Sequence, residues 1–151
     1  MASFNNPKAG QDPGRLDGLN ILVAEDDFVI AEYVRTVIEW AGGSAIGPAA
    51  MVANARTLAM TEPLDGAVLD IQLRDGDAVP IMDLLDSRGV PFVVLTGHAH
   101  TVLPNRFHHA PYLAKPFEEA ELIRRLAEAL EYGRAPLPAW RHMTSRARGN
   151  C

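Results

Sequence analysis

Five polar residues of this chain each stand at or just past the end of a short apolar run. They are Glu25, Asp26, Asp70, Thr96 and Lys115. In an open parallel α/β sheet, the carboxyl ends of different strands meet in one crevice, so residues that are far apart in the chain can share one site. Their types and positions therefore predict a site of three carboxylates, one hydroxyl and one ammonium group.

This combination indicates a particular chemistry. Three carboxylates within a few ångströms repel each other and raise the pKa of at least one of them unless a cation lies among them. Mg²⁺ prefers oxygen ligands and commonly uses one or two carboxylates, which leaves positions for water and a phosphate oxygen. An Asp beside Mg²⁺, a Lys and a Thr hydroxyl is equipped to receive a phosphoryl group, because the protein's part in that transfer is chiefly positioning and charge stabilisation.

The elements that must position these residues follow from the hydrophobic pattern. Short apolar runs alternate with amphipathic stretches, which indicates repeated β-α units and a parallel sheet. Strands are predicted near Asn20 to Ala24, Ser44 to Pro48, Gly66 to Asp70, Phe92 to Thr96 and Tyr112 to Ala114. Helices are predicted near Phe28 to Ala41, Ala49 to Met60, Ala78 to Ser87 and Glu118 to Tyr132.

The connection between the last two strands leaves little room for a helix. Fifteen residues separate Thr96 from Tyr112, and they include Gly97 and Pro104. At most a turn or two of helix fits near Thr101 to Phe107.

Four stretches of the chain resemble the receiver domain of two-component response regulators. They are Ile21 to Asp27, Val68 to Leu73 with Asp75-Gly76 following, Val94 to Gly97, and Tyr112 to Phe117. Each stretch is short, but all four occur in the right order within roughly Leu19 to Tyr132. The resemblance implies a doubly wound α/β fold of the flavodoxin/CheY-like type, with five parallel strands in the order 2-1-3-4-5.

The short connection and the pair Thr96-Gly97 also resemble the "FAT GUY" group of receivers. In that group the intervals around the third and fourth strands are shortened, which here implies a curtailed fourth helix. Only the Thr-Gly core of the group's motif is present, since Val94, Leu95, His98 and Ala99 replace its other residues.

The resemblance implies a phosphoacceptor and its Mg²⁺ ligands. Asp70 would accept the phosphoryl group. Asp26 would bind Mg²⁺ directly and Glu25 through water, and Asp70 and the backbone carbonyl of Gln72 would complete the protein ligands. Asp27, the next acid, is better explained as the cap of the helix that begins near Phe28.

Other residues would bind the phosphoryl group or tune its lifetime. Thr96 and Lys115 would contact its oxygens, and Gly97 leaves the backbone free to approach closely. Pro116 would follow a cis peptide bond, as the family's proline does. Three further residues are expected to act around the site. Gln72 and His98 would tune dephosphorylation, and Tyr112 is either a switch aromatic that moves inward or an ordinary half-buried strand tyrosine.

Composition and charge limit the other possibilities. With 151 residues and 48% apolar residues, the chain fits one globular domain. No apolar run is long enough to cross a bilayer, so a cytoplasmic location and no membrane partner are expected. Met1 to Gly18 is predicted to be a disordered arm, 19–132 the receiver domain, and 133–151 a basic disordered tail. The tail carries +4 and the rest −9, which argues against nucleic-acid binding by the domain.

Histidine and cysteine do not predict a second site. His98, His100, His108 and His109 are spaced as in a loop, without a helical pair or a nearby cysteine, so they are not expected to bind a transition metal. The single cysteine, Cys151, cannot form an internal disulfide.

These observations predict a single-domain response regulator, since only nineteen residues follow Tyr132. It would be a phosphoacceptor rather than an enzyme, a monomer or weak dimer, and would be phosphorylated by a histidine kinase or phosphotransfer protein and bind a downstream protein. One alternative is a receiver-like interaction module that works without phosphorylation. Another is a Mg²⁺-dependent phosphatase or phosphotransferase, but Gln72 stands where such proteins typically have a second Asp.

Overall fold

A computed structural model describes residues 14–97 and 103–134. Its main sheet has five strands, β1 Asn20–Ala24, β2 Ser44–Ala49, β3 Gly66–Asp70, β6 Phe92–Thr96 and β7 Tyr112–Ala114. Two further short strands, β4 Gln72–Leu73 and β5 Gly76–Asp77, pair antiparallel as a hairpin. The helices are α1 Phe28–Trp40, α2 Val52–Thr61, α3 Val79–Ser87 and α4 Glu119–Arg134.

The sheet confirms the predicted α/β architecture. Its strands are parallel and lie in the order β2-β1-β3-β6-β7. When only the strands of this sheet are counted, the order is 2-1-3-4-5. The two acid-bearing strands, β1 and β3, are therefore neighbours, and β6 and β7 follow on the β3 side.

Two buried layers cover the faces of the sheet. Alternate strand residues point to opposite faces, so Leu22 packs in the layer formed with α2 and α3, while Ile21 and Val23 pack in the layer formed with α1 and α4. The inner strands β1, β3 and β6 are apolar almost throughout because both faces are covered there. None of the described helices is both long enough and apolar enough to cross a membrane.

Helix α1 begins at a side-chain cap. Asp27 Oδ1 accepts hydrogen bonds from the backbone N–H groups of Val29 at 2.9 Å and Ile30 at 3.2 Å. This satisfies donors that the first turn of a helix would otherwise leave unpaired. The prediction that Asp27 is a helix cap is confirmed.

The first residues that the structure describes differ from prediction. Residues 14–18 form a turn rather than part of a disordered arm, and Leu16 is fully buried in the layer of α1 and α4. The Leu16 N–H donates to Ala41 O at 2.9 Å, which ties the turn to the end of α1. Residues 1–13 lie outside the described part of the chain.

The ends of two helices also differ from prediction. Helix α2 begins at Val52 rather than Ala49, because β2 extends to Ala49. Helix α4 continues to Arg134, beyond the predicted end at Tyr132. Residues 135–151 are not described.

The connection between β6 and β7 contains one 3-10 turn in its described part, Asn105–Phe107. Phe107 is buried and meets Phe92 edge to face, with ring centroids 5.7 Å apart. Arg106 makes two hydrogen bonds of 2.8 Å to the carboxylate of Asp83, on α3. Residues 98–102 lie outside the described residues, so the curtailed fourth helix and the "FAT GUY" assignment stay predictions.

Candidate functional site

The predicted site residues lie at one edge of the sheet. Asp70 and Thr96 are the last residues of β3 and β6, and Glu25 and Lys115 directly follow β1 and β7. These strands are neighbours in the sheet, and the Lys115 N–H donates to Thr96 O at 2.8 Å. The parallel topology therefore brings together residues from four separate parts of the chain, as the sequence predicted.

Lys115 joins the two buried carboxylates. Its Nζ lies 2.6 Å from Oε1 of Glu25 and 2.9 Å from Oδ2 of Asp70. The second oxygen of each acid is held by the backbone, because Glu25 Oε2 accepts from the Asp27 N–H at 3.1 Å and Asp70 Oδ1 from the Gln72 N–H at 3.3 Å. Both carboxylates are thus fixed in orientation by partners within the domain.

Three acids could hold a cation. Glu25, Asp26 and Asp70 each offer a carboxylate oxygen, and these oxygens lie within 4.8 Å of one another. Within the described residues, the buried Oε1 of Glu25 has no hydrogen bond of good geometry, although Lys115 lies close to it. Three carboxylates that each offer an oxygen at this spacing fit a hard cation such as Mg²⁺.

The electrostatics of the site agree with this fit. The pKa of Glu25 is raised from 4.5 to about 7, chiefly by burial and in part by the nearby Asp70, while the Lys115 contact and the Asp27 N–H act in the opposite direction. Burial opposes the charge of Lys115, but Glu25 and Asp70 outweigh that effect and raise the pKa of Lys115. A cation among the carboxylates would favour the ionised form of Glu25.

Comparison with known proteins decides the family. A model of the response regulator receiver domain matches residues 21–127. The chain belongs to this family. Receiver domains are phosphoacceptor signalling domains that interact with kinases or phosphotransfer proteins and with downstream targets, rather than enzymes in general.

Relatives of known sequence or structure agree with this assignment. The chain is 33% identical over 120 residues to the probable transcriptional regulatory protein SilR of Salmonella typhimurium, covering 76% of this chain and 52% of SilR. It is 30% identical over 127 residues to the phyllosphere-induced regulator PhyR of Methylorubrum extorquens, covering 82% of this chain and 48% of PhyR. It therefore spans about half the length of these two relatives. The solution structure of SdrG from Sphingomonas melonis Fr1 is 30% identical with a TM-score of 0.67, covering 78% of this chain and 98% of SdrG.

The remaining predicted residues of this receiver domain have mixed outcomes. The Lys115–Pro116 peptide bond is cis, as the resemblance implied, and the Gly47–Pro48 bond is also cis, which the sequence did not predict. Tyr112 is 60% exposed, so it is not a half-buried strand tyrosine in this structure. Gly97 directly follows β6, whereas His98 lies outside the described residues.

Two of the four histidines that were not expected to bind a transition metal lie in the described part of the chain. His108 and His109 lie in the turn after Asn105–Phe107, while His98 and His100 are not described. Glu25, Asp26 and Asp70 form the one group of possible metal ligands found in the described part of the chain.

Sequence reasoning missed the role of Asp75. Its carboxylate accepts hydrogen bonds from the N–H groups of Val52 and Ala53, at the beginning of α2. Asp75 follows Val52 by 23 residues, so a search for caps next to the helix could not find it. The sequence alone marks Asp75 only as half of the pair Asp75-Gly76.

Proposed function

We propose that this receiver domain accepts a phosphoryl group on Asp70 from the phosphohistidine of a histidine kinase or a phosphotransfer protein. The observation that carries the proposal is the environment of the Asp70 carboxylate. It lies among two further acids and is paired with Lys115 at 2.9 Å. In the transfer, the P–N bond of the donor breaks and a bond forms from phosphorus to a carboxylate oxygen of Asp70.

The other site residues have distinct roles in this proposal. Asp26 and Asp70 would bind Mg²⁺ directly, Glu25 would bind it through water, and the backbone carbonyl of Gln72 would be the further protein ligand. When bound, Mg²⁺ supplies charge neutralisation for the transferred group. Lys115 pairs with Asp70 before the transfer and with a phosphoryl oxygen afterwards.

Phosphorylation would then change the domain surface. The new group adds roughly −1.5 to −2 charge at Asp70. The Thr96 hydroxyl would donate to a phosphoryl oxygen, with Gly97 allowing close approach, and Tyr112 would move inward from its exposed position. Because Thr96 and Lys115 are joined through the backbone, the reordering would involve both strand ends and alter the binding of a downstream protein.

The start of α1 is the proposed docking surface for the phosphoryl donor. Phe28 and Val29 are 74% and 73% exposed although they are large and apolar. They follow Asp26 and Asp27 directly, so a protein that packs on them reaches the edge of the sheet where Asp70 lies. A single-domain architecture, a monomeric or weakly dimeric state and a cytoplasmic location remain predictions that accompany this function.

Intact mass after incubation with acetyl phosphate tests the phosphoacceptor. Wild type with Mg²⁺ is expected to gain about 80 Da, one phosphoryl group. Asp70→Asn, or wild type without Mg²⁺, is expected to gain none. Asp26→Asn should lose most of the gain, whereas the matched variant Asp27→Asn should keep it, because Asp27 caps α1 and Asn is a good cap.

The alternatives give different results. A gain in Asp70→Asn would show that another residue is modified. No gain in wild type, from either acetyl phosphate or a phosphorylated histidine kinase, would favour an interaction module that works without phosphorylation. Steady release of phosphate from a phosphomonoester by wild type would favour a Mg²⁺-dependent phosphatase.

A further inference from the structure

The connection from β2 into α2 contacts both acidic parts of the site. Residues 49–53 make up this connection and the first turn of the helix, and we call them the brace. Ala49 O accepts from the Glu25 N–H at 3.0 Å, and Ala50 O accepts from the Arg74 N–H at 3.1 Å. One side of the brace therefore holds the backbone beside Asp26, and the other holds the hairpin that follows Asp70.

Asp75 makes the stronger attachment on the hairpin side. It lies in the turn between β4 and β5, and its two carboxylate oxygens accept from the N–H groups of Val52 and Ala53. Met51, at the cap position of α2, makes no side-chain cap of its own. These hydrogen bonds lower the pKa of Asp75, so its carboxylate is the stabilised form at the positive end of the helix.

The base of the same hairpin is fixed at the phosphoacceptor. The Gln72 N–H donates to Asp70 Oδ1 at 3.3 Å. The Ala78 N–H donates to Ile71 O at 2.8 Å, which closes the hairpin where it meets α3. A short hairpin thus runs from Asp70 to the brace with hydrogen bonds at both of its ends.

We propose that Asp75 is a positioning residue of the Mg²⁺ site, which ties the hairpin carrying Gln72 to the brace that holds Glu25. The inference rests on the proposed function, since it concerns the cation that would bind there. Through this tie, the ligands after β1 and those after β3 keep a fixed separation before the cation arrives. Preorganised ligands bind more tightly because less ordering remains to be done on binding.

Charge and position can be separated at this residue. Asp75→Asn removes the negative charge but keeps an amide oxygen that can cap α2, whereas Asp75→Ala removes both. If Asp75 acted only by attracting the cation, the two variants would weaken Mg²⁺ binding equally. If it acts by position, Ala weakens binding clearly more than Asn does.

The hairpin offers a matched control. Asp77 is also exposed, and its Oδ1 accepts from the Val79 N–H at 3.0 Å at the start of α3. Asp77→Ala therefore removes one negative charge and one hydrogen bond to the start of α3 from the same hairpin, but leaves the contact with the brace. It is expected to bind Mg²⁺ about as Asp75→Asn does.

The test is calorimetric titration of the full chain with MgCl₂, together with urea unfolding without metal. We expect Asp75→Ala to raise the dissociation constant about fivefold over Asp75→Asn, which corresponds to one lost cap. Equal constants for Asp75→Ala, Asp75→Asn and Asp77→Ala would overturn the proposal, as would no Mg²⁺ binding by wild type. If Asp75→Ala does not fold, Asp75→Gln replaces it, because its longer side chain displaces the amide oxygen from the start of α2. The same rise of the dissociation constant relative to Asp75→Asn is then expected.

This result is independent of phosphoryl transfer. Mg²⁺ binding with the expected order of variants, but no mass gain from either acetyl phosphate or a phosphorylated histidine kinase, would refute the phosphoacceptor function and leave the positioning role standing. A mass gain with acetyl phosphate, together with equal Mg²⁺ affinities for Asp75→Ala, Asp75→Asn and Asp77→Ala, would support the phosphoacceptor function and refute the positioning role of Asp75.

Discussion

Replacing Glu25 by Gln is expected to stabilise the metal-free domain at alkaline pH and to change its stability little in acid. Burial raises the pKa of Glu25 from 4.5 to about 7. Between pH 4.5 and about pH 7, Glu25 keeps its proton in the folded state but releases it in the unfolded chain. The free energy of unfolding of wild type therefore falls as the pH rises from about 4.5 to about 7 and is level above that window.

The size of the effect follows from the shift. Each pKa unit corresponds to about 1.4 kcal/mol, so ionising Glu25 in the folded domain costs about 3 kcal/mol at pH 8. At pH 4.5 the cost is only about 0.4 kcal/mol, because the group is largely protonated in the folded state and half protonated in the unfolded chain. Gln has nearly the same shape and does not ionise. The variant should therefore be more stable than wild type by about these amounts.

Urea unfolding at pH 4.5 and pH 8, with EDTA present, measures this difference. For a domain of this size, about 3 kcal/mol moves the urea midpoint by about 1 to 3 M. Glu131→Gln is the control, because Glu131 is an exposed acid on α4, and it should change neither midpoint appreciably. The reasoning is refuted if Glu25→Gln shifts both midpoints equally, or if it destabilises the domain at pH 8.

Magnesium should reduce the difference in stability between wild type and Glu25→Gln at pH 8. A ligand that binds only the folded state stabilises it in proportion to the logarithm of one plus its concentration over the dissociation constant. Wild type keeps all three acids of the cluster, whereas Glu25→Gln keeps two. Saturating MgCl₂ at pH 8 should therefore raise the midpoint of wild type more than that of the variant.

Two further predictions concern Asp27 and Gln72. Asp27→Ala should lower the free energy of unfolding by about 1 kcal/mol in urea titrations, because α1 loses its cap, while Asp27→Asn should stay close to wild type. A loss as large with Asn as with Ala would contradict this role. Gln72→Ala should change the rate at which radiolabelled phosphoprotein loses phosphate, with a change in unfolding free energy within about 0.5 kcal/mol, because its side chain is exposed beside Asp70. Unchanged decay would show that Gln72 does not tune the lifetime.

Sequence predicted the sheet because its three inner strands, β1, β3 and β6, are buried on both faces. The runs from Asn20, Gly66, Phe92 and Tyr112 are short, apolar and bounded by turn residues, and their predicted limits match the structure. The predicted strands also gave the position of the site, because each chemically active residue lies where a strand ends. Edge strand β2 was less distinct, because several of its residues are exposed, and its end at Ala49 was assigned to α2.

Features that depend on distant contacts could not be predicted. Residues near the helix do not mark the start of α2, because Asp75 caps it from the hairpin. Leu16 lies among polar and turn residues without periodicity, and only its place under α1 and α4 explains its burial. The ion pair of Lys115 with Glu25 likewise depends on which strand ends become neighbours.

The two buried layers have a consequence for how such a sequence can change over time. The layer of α2 and α3 contains Ile81, Met82 and Leu85, and the layer of α1 and α4 contains Ile38, Leu122 and Leu126. Because the sheet lies between the two layers, a change of side-chain volume on one face can be compensated largely on that face. Either layer can thus drift in sequence, or be redesigned, while the strand ends between them keep the geometry on which the acidic cluster depends.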